Sequence, residues 1–254
     1  MTFFDSNCGL GNFSKPVLYT DPDGLLRLME KSAIAKSLVY HSLSREISPV
    51  EGNRMLLDRI RGCDSLYPSW IILPEESGDI ADTEDYMKRG IESGVSAFRI
   101  YPNTYRIPLG HYVNTGTFSF PEKKRIPIII DPGTGLTWNT DAGDWENIRL
   151  LCERHPALPV IFSEFRTRYQ IRIVTYFLKK YRNFFFDIGS CWNYKVVEKL
   201  SKMTDGGNLV TGTNLPFAEP GQSIGMILMA DVEQEIKDRI AHLNLKNLID
   251  KIKR

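Results

Sequence analysis

Phe3-Phe4-Asp5-Ser6-Asn7-Cys8-Gly9-Leu10-Gly11 is the stretch on which the reading of the fold turns. Two aromatic residues that favour burial lead into an acid, an amide and small residues. Two glycines then let the chain leave in a direction that other residues resist. A buried first strand ending in polar groups is how an α/β barrel opens its active face.

Working outward, the same pattern recurs. Apolar runs that end in a polar residue stand at 37–42, 69–74, 94–102, 127–133, 158–164, 184–187 and 208–214. Ile128-Ile129-Ile130 before Asp131 is the clearest of them. Their apolar character is continuous rather than alternating, as in strands of a parallel sheet buried on both faces. Helical patterns separate nearly all of them. Asp21-Pro22-Asp23-Gly24 marks a turn before Leu25, Leu26, Leu28 and Met29, and Ser48-Pro49-Val50-Glu51 carries a cap residue, a first-turn proline and an acid at capping-box spacing. Residues 82–92 and a segment from Asp144-Trp145-Glu146 read as further helices. Residues 103–121 read as a long polar and aromatic loop, equally a lid or an oligomer contact. Residues 232–254, apolar on one face, read as C-terminal helices packed outside. Eight strands close most economically as a single (β/α)8 TIM-like barrel, and with no linker or composition break residues 1–254 form one domain.

Composition narrows the function classes. A net charge of +1 gives no basic field for nucleic acid or for a membrane surface. No apolar run approaches the roughly 18 residues that span a bilayer, and no signal peptide is read at the N-terminus. Cys8, Cys63, Cys152 and Cys191 are widely spread without a CxxC pair, so reduced core thiols and a cytoplasmic location are expected.

In such a barrel the residues at the C-terminal ends of the strands converge on one pocket. That rule nominates Asp5, Asn7, His41, Arg99, Tyr101, Asp131, Glu164, Asp187 and Asn214, with Arg166 just beyond its strand. Four carboxylates stand against one histidine, and neither His-x-His nor His-Glu-x-x-His occurs, so no zinc on imidazoles is expected. Asp5, Asp131 and Glu164 with the Asn7 carbonyl leave a hard cation such as magnesium open, although Arg99 and Arg166 in the same region would neutralise the acids. No cofactor is otherwise expected. Asp131 and Glu164 suit acid–base work if burial and arginines push their pKa values apart. Arg99 and Arg166 suit a carboxylate or phosphate grip. Equally, Glu164 paired with Arg166 or Arg99 would only fill space. His41 reads as an acid or base or as a hydrogen-bonded structural residue, and Cys8 as a core thiol.

The opening stretch resembles the first-strand signature of the amidohydrolase superfamily, Asp-x-His-x-His-x-Gly. Asp5 and Gly11 match, and Asn7 and Gly9 stand at the metal-binding histidines. The chain looks closest to the branch that contains aminocarboxymuconate-semialdehyde decarboxylase. Residues 127–133 resemble its fifth strand, with Asp131 at a metal ligand, and 158–165 its sixth, with Glu164 near a histidine position. Residues 210–216 are similar to its eighth-strand pattern Gly-Thr-Asp-x-Pro, with Asn214 at the catalytic acid; 239–248 resemble its terminal helix.

The resemblance implies a TIM-type barrel that hydrolyses or decarboxylates a small anionic molecule with a metal. The residues replace every expected ligand. The first hypothesis is therefore a divergent hydrolase or decarboxylase that works without the usual zinc centre. Asp131, Glu164 and Asn214 would be its catalytic positions, and Asn7, His41, Arg99, Tyr101 and Arg166 its substrate contacts. The second is a non-catalytic ligand-binding or regulatory barrel. An elevated Glu164 pKa above an open cleft favours the first; a closed Glu164–Arg166 ion pair favours the second.

Overall fold

The computed structural model describes residues 1–132, 144–164 and 171–254. Eight strands lie in the order in which they occur: β1 (Phe3–Leu10), β2 (Ile34–His41), β3 (Leu66–Ile71), β4 (Ala97–Ile100), β5 (Ile128–Ile130), β6 (Val160–Phe162), β7 (Phe184–Asp187) and β8 (Leu209–Val210). All seven neighbouring pairs are parallel. The ring closes between β1 and the chain at and beyond the end of β8. Ser6 N–H donates to Thr211 O (2.9 Å) and Gly9 N–H to Leu215 O (2.7 Å). This is the (β/α)8 TIM-type barrel expected from the sequence, and the strands sit on the predicted runs with β2 and β3 beginning three residues earlier.

The helices begin where the caps place them. Asp21, Ser48, Asp82 and Asp144 each accept a backbone N–H with the side chain, at Pro22–Lys31, Pro49–Arg59, Thr83–Glu92 and Trp145–Arg154 respectively. Ile128, Ile129 and Ile130 are buried, as a strand covered on one side by helices and on the other by the barrel core must be.

The segment 103–121 departs from the loop expected of it. It is not an open loop but largely short helices, Pro102–Tyr105, Leu109–Asn114 and Ser119–Lys124. Tyr112, Phe118 and Phe120 are buried in the core. Proline at positions 102, 108 and 121 masks the helical pattern, and the aromatic residues serve packing rather than a lid or an exposed contact.

The C-terminal chain, Gln234–Asp238 followed by a π-turn over Arg239–Leu243 and Asn244–Asp250, packs outside as expected. Asn244 Nδ2 donates to Gly206 O (2.6 Å) and Leu209 O (2.7 Å). Lys253 N–H reaches Lys124 O (2.9 Å), so the tail runs from the start of β8 to the start of β5 across the N-terminal end of the barrel. Among the described residues no helix is long and apolar enough to cross a membrane, and the four cysteines are free thiols.

Candidate functional site

Two of the nominated acids are used up in holding the barrel mouth together. Asp5 Oδ1 accepts from Asn7 N–H (2.8 Å) and Thr213 N–H (2.9 Å), while Oδ2 accepts from the Thr213 hydroxyl and from Cys8 Sγ (2.8 Å). It thus clasps the seam between β1 and β8. Burial raises its pKa to about 6, against the lowering effect of these donors. Asp187 accepts from Ser163 Oγ (2.7 Å), Gly189 N–H (2.8 Å) and Gly212 N–H (2.7 Å), tying β6, β7 and the chain after β8 together. Burial raises its pKa as well. A carboxylate saturated with internal donors has no lone pair left for a substrate.

The remaining polar residues meet around a side chain that the sequence did not nominate. Arg45 stands on the short helix Ser42–Glu46, directly after β2. Its Nη2 lies 3.2 Å from Asp131 Oδ2 and 3.1 Å from Glu164 Oε2. Its Nη1 donates to Tyr40 Oη (2.6 Å) and to Glu164 Oε1 (3.3 Å). Beneath it lie the rings of Tyr101 (4.8 Å to the centroid) and Phe217 (5.4 Å), a cation–π arrangement. Burial works against the Arg45 charge, but Glu164, then Tyr40, Tyr101 and Asp131 more than offset it and hold the pKa well above its usual value.

Glu164, two residues past β6, has a left-handed backbone conformation, φ 53°, which is uncommon for a non-glycine residue. Burial favours its neutral form. The charge of Arg45 and hydrogen bonds from Asp131, Asn7 and Arg45 outweigh burial, and the pKa falls below the ordinary carboxylate value. Asn7 Nδ2 donates to Glu164 Oε1 (2.9 Å), and Asn7 Oδ1 accepts from Arg99 Nη1 (3.1 Å). Arg99 is buried on β4, where Nε donates to Ser69 Oγ (2.9 Å), Nη2 to Ser6 O, and the guanidinium lies 4.9 Å from the Tyr40 ring. A continuous chain therefore runs Arg99–Asn7–Glu164–Arg45–Asp131.

The other nominated residues take different places. Tyr101 lies under Arg45; burial raises its pKa to about 12, and its hydroxyl has no partner among the described residues. Asn214 follows the Asp5 clasp at φ 58°, with Oδ1 buried and unpartnered among the described residues. His41 does not join the chain. Its Nδ1 accepts from Leu43 N–H (3.1 Å), capping the helix that carries Arg45, and its ring lies over Gly11. Burial, then Arg59, lowers its pKa to about 4. Arg166 lies outside the described residues. The signal that could have exposed Arg45 was its position: a cationic residue one helical turn past a strand end, on a helix too short to carry it away from the mouth.

A cavity of about 390 Å³ lies outside the barrel wall, lined by Asn103, Arg106, Ile130, Pro132, Ile148 and Phe162 among others. Asn7, Arg45, Asp131, Glu164 and Asn214 do not line it.

No protein-family model matches the sequence, and no curated protein matches it. Solved structures do. A protein described as an amidohydrolase from Staphylococcus aureus superposes with a TM-score of 0.75 at 14% identity, covering 98% of this chain and 100% of the other. A dihydroxybenzoic acid decarboxylase from Polaromonas, with bound manganese and the inhibitor 2-nitroresorcinol, gives 0.72 at 13% identity over 98% and 97%. The 5-carboxyvanillate decarboxylase from Sphingomonas paucimobilis gives 0.72 at 10% identity over 98% and 99%.

The fold is the TIM-type barrel of these proteins. At 10–14% identity the likeness shows the fold alone.

The metal that the sequence resemblance implies finds poor accommodation among the described residues. Asn7 turns its amide N–H toward Glu164, and its carbonyl is taken by Arg99. A Cβ on Gly9 would meet the Phe13 ring at 2.6 Å and Tyr40 at 3.1 Å, so aromatic packing fills the second histidine position. Asp131 and Glu164 are both held by Arg45. Among the described residues no group of three or more His, Cys, Asp or Glu side chains is arranged to hold a metal ion. The donor set of the described residues does not fit a catalytic metal.

Proposed function

We propose that this amidohydrolase-type barrel binds a small anionic molecule, of the carboxylate class, at its C-terminal mouth without metal-assisted turnover. The observation that carries the reading is the closed Arg45–Glu164–Asp131 cluster. A general base near neutrality needs a pKa near the working pH, whereas Glu164 is held below its ordinary value. Asn214, an amide, cannot take a proton from a water nucleophile. The anionic preference rests on the buried guanidiniums of Arg45 and Arg99, two fixed positive charges at this end of the barrel. Of the three rings around Arg45, Tyr40 and Tyr101 are buried, and the partly exposed Phe217 offers an apolar face to the body that carries the anionic group.

A second reading rests on the same two carboxyls, brought together on one arginine nitrogen. Acid–base chemistry would need their pKa values pushed apart, with Arg45 in place of Arg99 or Arg166 as electrostatic clamp. The test is calorimetric titration of the protein with a panel of small aromatic and aliphatic carboxylates, each mixture then checked by mass spectrometry. The expected result is binding that weakens with added salt and full recovery of the ligand. Binding confined to neutral or cationic analogues overturns the anion site; consumption of a panel member establishes the second reading instead.

A further inference from the structure

We propose that the Arg45 guanidinium stands in this chain where the superfamily resemblance places a metal ion. Its Nη2 is a built-in cation that holds the ends of β5 and β6 together. One nitrogen bridges two carboxylate oxygens, at 3.2 Å to Asp131 and 3.1 Å to Glu164. These are the residues that the resemblance puts at metal-ligand positions. The spacing is that of N–H···O hydrogen bonds; a magnesium ion at the same point would demand contacts of about 2.0–2.1 Å. The second nitrogen, Nη1, fills the adjoining positions with Tyr40 Oη and Glu164 Oε1. Asp131 Oδ2 and both carboxylate oxygens of Glu164 are thus directed at the Arg45 guanidinium, and the Asn7 carbonyl is taken by Arg99.

The arginine is held in place as a resident ion would be. The side chain of His41 caps the Ser42–Glu46 helix at Leu43 N–H, and Ser44 Oγ donates to His41 O (2.7 Å). Tyr105 Oη donates to Ser44 O from the segment after β4. Gly52 on the next helix lets the Ser44 backbone approach closely: a Cβ there would fall 2.0 Å from Ser44 N. The backbone leading into Arg45 is therefore fixed, and its planar fork loses little further freedom in meeting two carboxylates. Lysine offers a point charge without the fork, so the site is specific to arginine.

This inference stands whichever ligand class the mouth accepts, because its readout is metal binding and not carboxylate binding. Manganese(II) is titrated at neutral pH into the wild-type protein and into Arg45→Lys, Arg45→Met and Arg45→Met/Glu164→Gln variants. Free ion is followed by paramagnetic resonance and folding by circular dichroism. Wild type and Arg45→Lys are expected to leave manganese free. Arg45→Met, which keeps apolar bulk over Tyr101, is expected to gain one site at least about tenfold tighter, and the Glu164→Gln change to abolish it. A wild-type protein that binds one equivalent of manganese through Glu164 overturns the proposal. So does a folded Arg45→Met variant that gains nothing. If Arg45→Met fails to fold, the wild-type and Arg45→Lys titrations decide by the same criterion.

Discussion

Arg45 reaches Glu164 across 119 positions of sequence and pairs with it through both terminal guanidinium nitrogens, Nη2 at 3.1 Å and Nη1 at 3.3 Å. With side chains only 15% and 13% exposed, the pair is little screened by water. Its worth is therefore set by what is left behind when one partner goes. Arg45→Ala should strand Glu164 beside Asp131 and cost about 3–5 kcal/mol. Arg45→Lys, which keeps the charge but not the fork, should fall between. Urea denaturation of the three proteins at neutral pH checks the order; an alanine variant as stable as wild type would mean that the pair contributes nothing.

Two buried groups make opposing contributions to acid stability. Asp5 titrates near 6 in the folded chain against 3.8 ordinarily, so the fold holds its proton more tightly; that stabilisation is full below 3.8 and lost as pH rises through 6. His41 titrates near 4 against 6.5, so its contribution is full above 6.5 and lost as pH falls through 4. Between about pH 4 and 6.5 the two slopes offset each other. Asp5→Asn should therefore expose a loss of stability on acidification. His41→Asn, which keeps an acceptor for the helix cap, should become more stable over the same interval. Melting temperatures across pH 4–7 for the three proteins read both slopes, and parallel profiles would refute the assignment.

The Asp187 staple depends on close backbone approach. A Cβ on Gly212 would stand 2.1 Å from Asp187 Oδ2, and one on Gly189 1.6 Å from Gly212 O. Neither contact can relax without losing the hydrogen bonds that join β6, β7 and the chain after β8. Gly189→Ala and Gly212→Ala should each cost about 3 kcal/mol or more, visible as a lowered denaturation midpoint or loss of soluble protein. A Gly221→Ala control, with open space around it, should do neither.

Asn214 separates conformation from chemistry. Its φ of 58° suits asparagine or glycine, and alanine there is strained. Asn214→Gly should keep stability within about 1 kcal/mol, whereas Asn214→Ala should lose about 1–2 kcal/mol. Both should weaken carboxylate binding, because both remove the buried amide. Denaturation and calorimetry on the same preparations distinguish the two effects, and undiminished binding by Asn214→Gly would remove Asn214 from the site.

The barrel itself was written in the chain. Ile128-Ile129-Ile130 before Asp131, Phe184-Phe185-Phe186 before Asp187, and the caps at Asp21, Ser48 and Asp144 are local signals: each needs only its neighbours in sequence to set a strand or a helix start. The same periodicity delivered Asn7, Asp131 and Glu164 to one end of the sheet. Local signals also had their limit. The helices within 103–121 were hidden by prolines, and their aromatic residues gave no hint of which would be buried.

Partner choice is what tertiary structure alone decided. A carboxylate at a strand end looks the same in sequence whether it closes a seam, as Asp5 does with Thr213, or meets a cation, as Glu164 does with Arg45. The difference arises from which distant strand ends are brought within about 3 Å, where hydrogen bonding and Coulomb attraction act. His41 shows the converse: its strand-end position was legible, but only the folded chain turned its ring to a helix cap and left the mouth to Arg45. Sequence thus fixed the scaffold through short-range packing and capping, while long-range juxtaposition chose the charge at its centre.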